Sequence, residues 1–327
     1  MKLVCRICAN TADNRSFEAK EMMYGLRDKF TYFQCSVCGC VQIAEFPENI
    51  SEYYKDYYAF TVKPSDNSLK GKIKNKLKQW RNHHIFKYSV FNQDLLGKFF
   101  FNSVPYDEIQ GLRALSYVQS LSTDSRILEV GCGSGRWLKN LKSIGFNQLV
   151  GVDPFYVDNA DADNSIRIIR GYLNEVKGVQ FDLIMFHHSF EHVPDPLETL
   201  QTAKGLLRER GICLIRIPVS DSFAFGNYGV NWIEFDAPRH FFLHTVKSMT
   251  ILAEKAALKI SDIIYDTTEM EFWGSDQYAK DIPHFSKESY VQDRTRYTKK
   301  QIKEFKAKAA LLNQQKKGGR AIFVLNQ

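Results

Sequence analysis

Residues 125–138 read Ser125-Arg-Ile-Leu-Glu-Val-Gly-Cys-Gly-Ser-Gly-Arg-Trp-Leu138. Arg126 to Val130 form a short apolar strand, Gly131 to Gly135 a glycine-rich turn, and Trp137, Leu138, Leu141 and Ile144 recur behind it at helical spacing. Strand, tight turn and helix in that order open a doubly wound α/β sheet. The turn is spaced G-x-G-x-G, whereas a dinucleotide fingerprint needs G-x-G-x-x-G, and Arg136 stands where the third glycine belongs. Glu129 lies at the carboxyl end of the strand, where its charge would repel a pyrophosphate and attract a cation.

Further strands follow at Leu149 to Val152, Ile166 to Ile169, Phe181 to Phe186 and Ile212 to Ile217, with late strands at Ile260 to Tyr265 and Ala321 to Leu325. The second strand ends in Asp153-Pro154, eighteen residues beyond Gly135, where an acid accepts both ribose hydroxyls in nucleotide-binding sheets. S-adenosylmethionine, with its ammonium and sulfonium, suits Glu129 through charge-assisted hydrogen bonds. Gly131, Cys132, Gly133 and Gly135 then form its cradle.

Four stretches together resemble the class I S-adenosylmethionine-dependent methyltransferases: Ile127 to Leu138, Gly151-Val-Asp153, Phe181 to Pro196 (FDLIMFHHSFEHVPDP) and Leu214 to Pro218. In detail they are similar to the branch of ubiquinone-pathway O-methyltransferases and of enzymes of sugar and surface-polysaccharide modification, which Trp232 to Thr245 (WIEFDAPRHFFLHT) reinforces. The resemblance implies a Rossmann-like seven-stranded doubly wound sheet with an antiparallel final hairpin, the helix around Ile302 to Leu312 preceding the last strand. It also implies a cofactor role for Tyr172 and Leu173 after the third strand. Relatives commonly place a polar residue there, so Tyr172 must stack on the adenine or donate its backbone N–H. His187 is expected to face the cofactor or the core.

Transfer to a hydroxyl also requires a base near neutrality, which histidine provides. His188, His192, His240 and His244 occupy motif positions, and His240 is the first choice, with His192 and His188 behind it. The loop 219–244 is too long for a mere connection and reads as a lid. It carries Phe223, Phe225, Tyr228, Trp232, Phe235, Phe241 and Phe242, with Tyr228 and Trp232 assigned to substrate and Arg239 to an anionic group. A bracing role for Arg239 and His240 is the competing reading.

Upstream, five of the seven cysteines fall in the first 40 residues as Cys5-x-x-Cys8 and Cys35-x-x-Cys38, with Cys40 in reserve as an alternative to Cys38. Two knuckles supply four thiolates for tetrahedral, structural Zn²⁺; buried thiols or a disulfide are the alternatives, and a reducing compartment disfavours the latter. Short strands around Tyr24-Gly25-Leu26 span the knuckles as in a zinc ribbon. Tyr53, Tyr54, Tyr57, Tyr58 and Phe60 follow as an aromatic cluster expected to pack the ribbon. The division expected is a zinc-ribbon-like module over 1–60, a basic helical linker over 61–106 and a methyltransferase domain over 107–327. A zinc module before such a domain also resembles nucleotide-sugar C-methyltransferases, although their large C-terminal domain has no counterpart here.

Charge is unevenly spread. Residues 67–93 hold seven Lys/Arg and no acid, residues 294–327 ten and one, while residues 94–293 hold 19 basic and 27 acidic side chains. The acidic body argues against nucleic acid as a partner. In the first basic segment Leu69, Ile73, Leu77 and Trp80 share a helical face, readable as a stripe packed on the protein or as an interfacial helix leaning on anionic lipid. No run of about 18 apolar residues or signal-peptide pattern occurs, so a cytoplasmic protein is expected, with a peripheral place at the inner face of the membrane as the alternative. The reading favoured is methyl transfer to a small molecule, foremost a saccharide hydroxyl in free, nucleotide-linked or lipid-linked form. A zinc-ribbon RNA methyltransferase, an NAD oxidoreductase and a non-catalytic scaffold are its rivals.

Overall fold

Apolar runs such as Ile127–Val130 and Phe181–Phe186 become strands buried on both faces, which is why they lack the alternation of half-exposed strands. The computed structural model describes residues 3–54, 68–91, 94–103, 115, 118, 121–156 and 166–327. Tyr57, Tyr58, Phe60, Ile109 and Leu112 lie outside them. The main sheet contains β4 (Arg126–Val130), β5 (Gln148–Asp153), β6 (Arg167–Arg170), β7 (Phe181–His187), β8 (Leu207–Pro218), β10 (Lys259–Tyr265) and β11 (Arg320–Asn326). Its order is β10-β11-β8-β7-β4-β5-β6, with β4 parallel to both β5 and β7, and β5 parallel to β6. This is a Rossmann-like α/β architecture.

A second sheet, ordered β1-β2-β3-β9, contains β1 (Arg15–Lys20), β2 (Lys29–Gln34), β3 (Val41–Ile43) and β9 (Phe242–Leu243), all antiparallel. Its last strand comes from the loop expected to be a lid. The α-helices among the described residues include α1 (Leu69–Phe91), α2 (Leu95–Ser103), α3 (Arg136–Ser143), α4 (Pro196–Leu206), α5 (Phe223–Tyr228), α6 (Val246–Lys255), α7 (Met270–Ala279) and α8 (Lys299–Gln314).

Contacts divide the chain into two compact units. One comprises Lys55–His187, Thr202–Leu214 and Val324–Gln327. Its core includes Ile127, Leu128, Leu138, Leu141, Phe146, Leu183 and Met185, and Asp182 ties β4 in place by accepting from the Arg126 amide at 2.7 Å and from Arg208. The other comprises Met1–Tyr54, His188–Gln201 and Ile215–Phe323. There β9 pairs Leu243 with Val41, Thr245 donates to the Cys38 carbonyl, and Arg216 and Arg320 share the buried Asp266. In this unit the N-terminal segment is stitched to residues more than 200 positions away.

The stripe of α1 is not packed on the protein. Leu69, Ile73, Leu77 and Trp80 are all exposed, while Ile85 and Phe86, one turn further on, are buried, and Phe86 meets Phe146 edge-on.

Candidate cofactor, acceptor and metal sites

The turn after β4 is built by glycine. Gly131, Gly133 and Gly135 all have positive φ, and a Cβ on Gly135 would meet Ile168 at 2.7 Å. Gly151, opposite Glu129 on β5, must also lack a side chain, because a Cβ there would lie 2.6 Å from the Cys132 sulfur and 2.9 Å from Leu138. Asp153 holds the turn open. Its Oδ2 accepts from the Gly133 amide at 2.8 Å and its Oδ1 from the Phe155 amide at 2.8 Å, the tight corner through Pro154 bringing the latter back.

Glu129 is buried, and Oε2 has no hydrogen-bond partner among the described residues. Burial, reinforced by Asp153, raises its carboxyl well above the usual range. An orphaned acceptor of this kind fits a cationic donor such as the ammonium of S-adenosylmethionine, whose arrival would favour the ionised form. The neighbouring Cys132 thiol is buried and held neutral. Further along, Leu173 is buried and the Tyr172 ring is exposed. The Tyr172 amide donates to Glu175 Oε1 at 2.8 Å, so of the two roles expected for Tyr172 the stacking one is free. His187 ends β7, partly buried.

Three of the expected histidines converge in the other unit around Glu191, which is fully buried. His188, with φ 55°, accepts at Nε2 from Arg216 at 2.8 Å, so its Nδ1 carries the proton and faces Glu191 Oε1 at 3.4 Å. His240 Nδ1 lies 2.8 Å from the Glu234 carbonyl, an acceptor only. That fixes the proton on Nδ1 and leaves the lone pair on Nε2, 3.8 Å from both Glu191 Oε1 and Asp236 Oδ2. His192 stacks edge-on against His240 at 4.8 Å, with Nδ1 directed to the Arg239 carbonyl at 2.8 Å and the Tyr54 hydroxyl at 3.0 Å. Burial pulls His192 down to about 3, too weak a base for neutral pH. Burial also lowers His240, but Asp236 and Glu234 pull the other way. Glu191 is raised well above the ordinary carboxylate range by burial.

Residues 106–262 match the family model described as a methyltransferase domain. These residues are similar to a methyltransferase domain, which supports S-adenosylmethionine-dependent methyl transfer as the activity. The chain is 28% identical over 193 residues, 52% of its length and 77% of the relative's, to the ubiquinone biosynthesis O-methyltransferase of Dinoroseobacter shibae. Similar solved structures include S-adenosylmethionine-dependent methyltransferases from Archaeoglobus fulgidus (17% identity, TM-score 0.44, covering 72% of this chain and all of that one) and Mesorhizobium loti (15%, 0.44, 68% and all).

Not every residue assigned to the acceptor of this methyltransferase is available to one. Arg239 is fully buried, with Nε and Nη2 on Asp236 at 2.9 and 2.5 Å, Nη2 on Glu21 at 2.9 Å and Nη1 on the Tyr53 carbonyl. With its fork committed in this way it braces the loop, the competing reading for that residue. Trp232 is fully buried, and Phe235, Phe241 and Phe242 join it in the core, so the aromatic run of 219–244 is mostly packing rather than wall. Tyr228 is half-buried and donates to Asp276 at 2.9 Å. The roles of Glu21, Asp236 and Tyr54 were not anticipated. The Asp236/Arg239 spacing of three is a visible local signal, whereas Glu21 and Tyr54 arrive from distant sequence.

Cys5, Cys8, Cys35 and Cys38 bring their sulfurs within 4.8 Å of one another, with Cys5 to Cys38 at 3.6 Å and Cys8 to Cys35 at 3.5 Å. Tetrahedral Zn²⁺ with bonds of ~2.3 Å separates its sulfurs by about 3.8 Å, so the donor set fits. Amides of Val37 and Cys38 point at the Cys35 sulfur, and Gln42 Nε2 lies 2.9 Å from that of Cys5. Cys40 stands apart, 3.9 Å from His244 Nδ1, and is not in the cluster. Glu191, His192 and His240 also offer ligand atoms within 4.8 Å of one another, a second set able to hold an ion.

Proposed function

We propose that the chain catalyses methyl transfer from S-adenosylmethionine to a hydroxyl of a small molecule, with a saccharide, free or linked to a nucleotide or lipid, as the acceptor class. Glu129, Asp153, the turn Gly131, Cys132, Gly133 and Gly135, Pro154, Tyr172, Leu173 and His187 hold the cofactor, which when bound supplies an electrophilic methyl. We assign the base for the acceptor's hydroxyl proton to Nε2 of His240, with His188 facing Glu191 and His192 packed against the His240 ring. The observation that carries this reading is the tautomer of His240. A neutral imidazole with its lone pair on Nε2, beside a buried carboxyl, is a base prepared in advance.

We assign structural Zn²⁺ to Cys5, Cys8, Cys35 and Cys38, which close all four positions and leave none for chemistry. Four free thiols poised for metal suit a reducing cytoplasm. The relative's printed name, a ubiquinone biosynthesis O-methyltransferase, favours a second acceptor class, for which we take a catechol as the probe. Incubating the purified chain with methyl-labelled S-adenosylmethionine, and separately with nucleotide sugars, oligosaccharides and catechols, distinguishes the two. Label entering only catechols would overturn the saccharide assignment.

A further inference from the structure

The helical hairpin of α1 and α2 carries an apolar face that the protein leaves uncovered. On α1 it consists of Leu69, Ile73, Leu77 and Trp80, and on α2 of Leu95, Leu96 and Phe99, each between 49% (Trp80) and 87% (Leu95) exposed. The two helices are held at close quarters. Gly97 faces the backbone of α1, where a Cβ would lie 2.1 Å from the His84 carbonyl oxygen. Trp80 meets Phe100 edge-on at 5.7 Å, and Asp94 at the start of α2 binds His84 at 2.5 Å and the Gly97 amide at 2.9 Å. The C-terminal half of α1 is anchored by Phe86 on Phe146 and by His83 on the Ile144 carbonyl. A fixed hairpin therefore presents seven large apolar side chains to solvent, more than monomeric proteins leave together without a use.

The charges around this face identify what it meets. Lys70, Lys72, Lys74, Lys76 and Lys78 are exposed on α1 and Lys98 on α2. Residues 67–93 contain no acidic side chain, and the hairpin's Asp94 is occupied by His84. Lysines on both flanks of an aliphatic and aromatic stripe match a surface that is apolar within and anionic at its rim. A polyanion such as RNA would satisfy the lysines but leave the leucines, Ile73 and Phe99 facing phosphates.

We propose that the α1–α2 hairpin docks the protein on an anionic phospholipid bilayer, inserting Leu69, Ile73, Leu77, Trp80, Leu95, Leu96 and Phe99 to the level of the acyl boundary while the lysines engage the headgroups. This inference is independent of the acceptor's identity. No helix among the described residues is long and apolar enough to cross a membrane, so the contact is one of surface attachment.

The test is flotation of the full chain with phosphatidylcholine vesicles, with or without ~30 mol% phosphatidylglycerol. The chain is expected to float with the anionic vesicles, to do so less at ~0.5 M salt, and to show a blue-shifted emission from Trp80. The paired substitutions Ile73→Glu with Leu77→Glu, and Leu95→Glu with Phe99→Glu, should each weaken flotation at least ~tenfold while leaving S-adenosylmethionine binding intact, which certifies the fold. Trp80→Phe should keep flotation and lose the emission shift. No flotation, or flotation indifferent to phosphatidylglycerol and to both pairs, overturns the proposal. So does size-exclusion chromatography showing that the pairs convert an oligomer to a monomer, or RNA retention abolished by them, when vesicles are not bound.

Discussion

Asp153→Ala tests the cofactor assignment most directly, because one carboxylate is asked to do two things. Its oxygens each accept a backbone amide at 2.8 Å, from Gly133 and Phe155, and each is proposed to accept a ribose hydroxyl as well. Losing two hydrogen bonds to a charged acceptor costs about 2 to 3 kcal/mol of binding, or ~30- to 150-fold in the Kd of S-adenosylmethionine. The two released amides lie on a half-buried turn that water reaches, so the fold should lose only ~1 to 2 kcal/mol. Asp153→Asn keeps one good acceptor and turns an N–H donor toward the other amide, so it should fall between wild type and Ala. Isothermal calorimetry with S-adenosylmethionine reads the affinity, and urea denaturation of the same samples reads the stability. If Asp153→Ala binds the cofactor within ~threefold of wild type while folded, the ribose assignment is wrong. If affinity falls only in step with unfolding, Asp153 merely supports the turn.

Three further outcomes are expected. One zinc per chain should copurify, and Cys8→Ser or Cys35→Ser should release it to a chelating dye; elemental analysis finding no metal in unchelated protein would remove the zinc assignment. His240→Ala should lower kcat ~100-fold with the cofactor Kd unchanged. Since the neutral ring is the base and burial lowers its pKa, the wild-type rate should fall only below the usual histidine range as pH drops, and that acidic limb should vanish in the variant. Equal activity in His240→Ala with His188→Ala inactive would transfer the role. Burial raises the Glu271 carboxyl to about 7, so the folded state retains a proton that the unfolded chain releases near 4.5. Its stabilising contribution, full below that unfolded value, is lost as pH rises through about 7, and Glu271→Gln should flatten the decline in urea midpoint over that window. An unchanged pH profile of stability would show that Glu271 is ionised in the fold.

The sequence by itself determined what rests on local chemistry. The strand-turn-helix unit from Arg126 to Ser143 was legible because buried parallel strands are continuous apolar runs and because a G-x-G-x-G turn admits few other uses. The convergence of the C-x-x-C pairs was legible because two such knuckles are spaced to bring four thiols together. The tertiary structure alone decided what depends on partners far away in the chain. Arg239 has the composition of an anion-binding residue, and only the arrival of Glu21 from 218 positions away, together with Asp236, commits it to bracing the loop. Residues 219–244 have the length and aromatic content of a lid, but β9 pairs with β3, and the rings go into the core that this pairing creates. The periodicity of Leu69, Ile73, Leu77 and Trp80 was plain, yet a helical stripe looks the same whether it faces a core or a solvent. Which of these it meets is a long-range packing decision, and here the core was reached through Ile85 and Phe86, leaving the stripe outside.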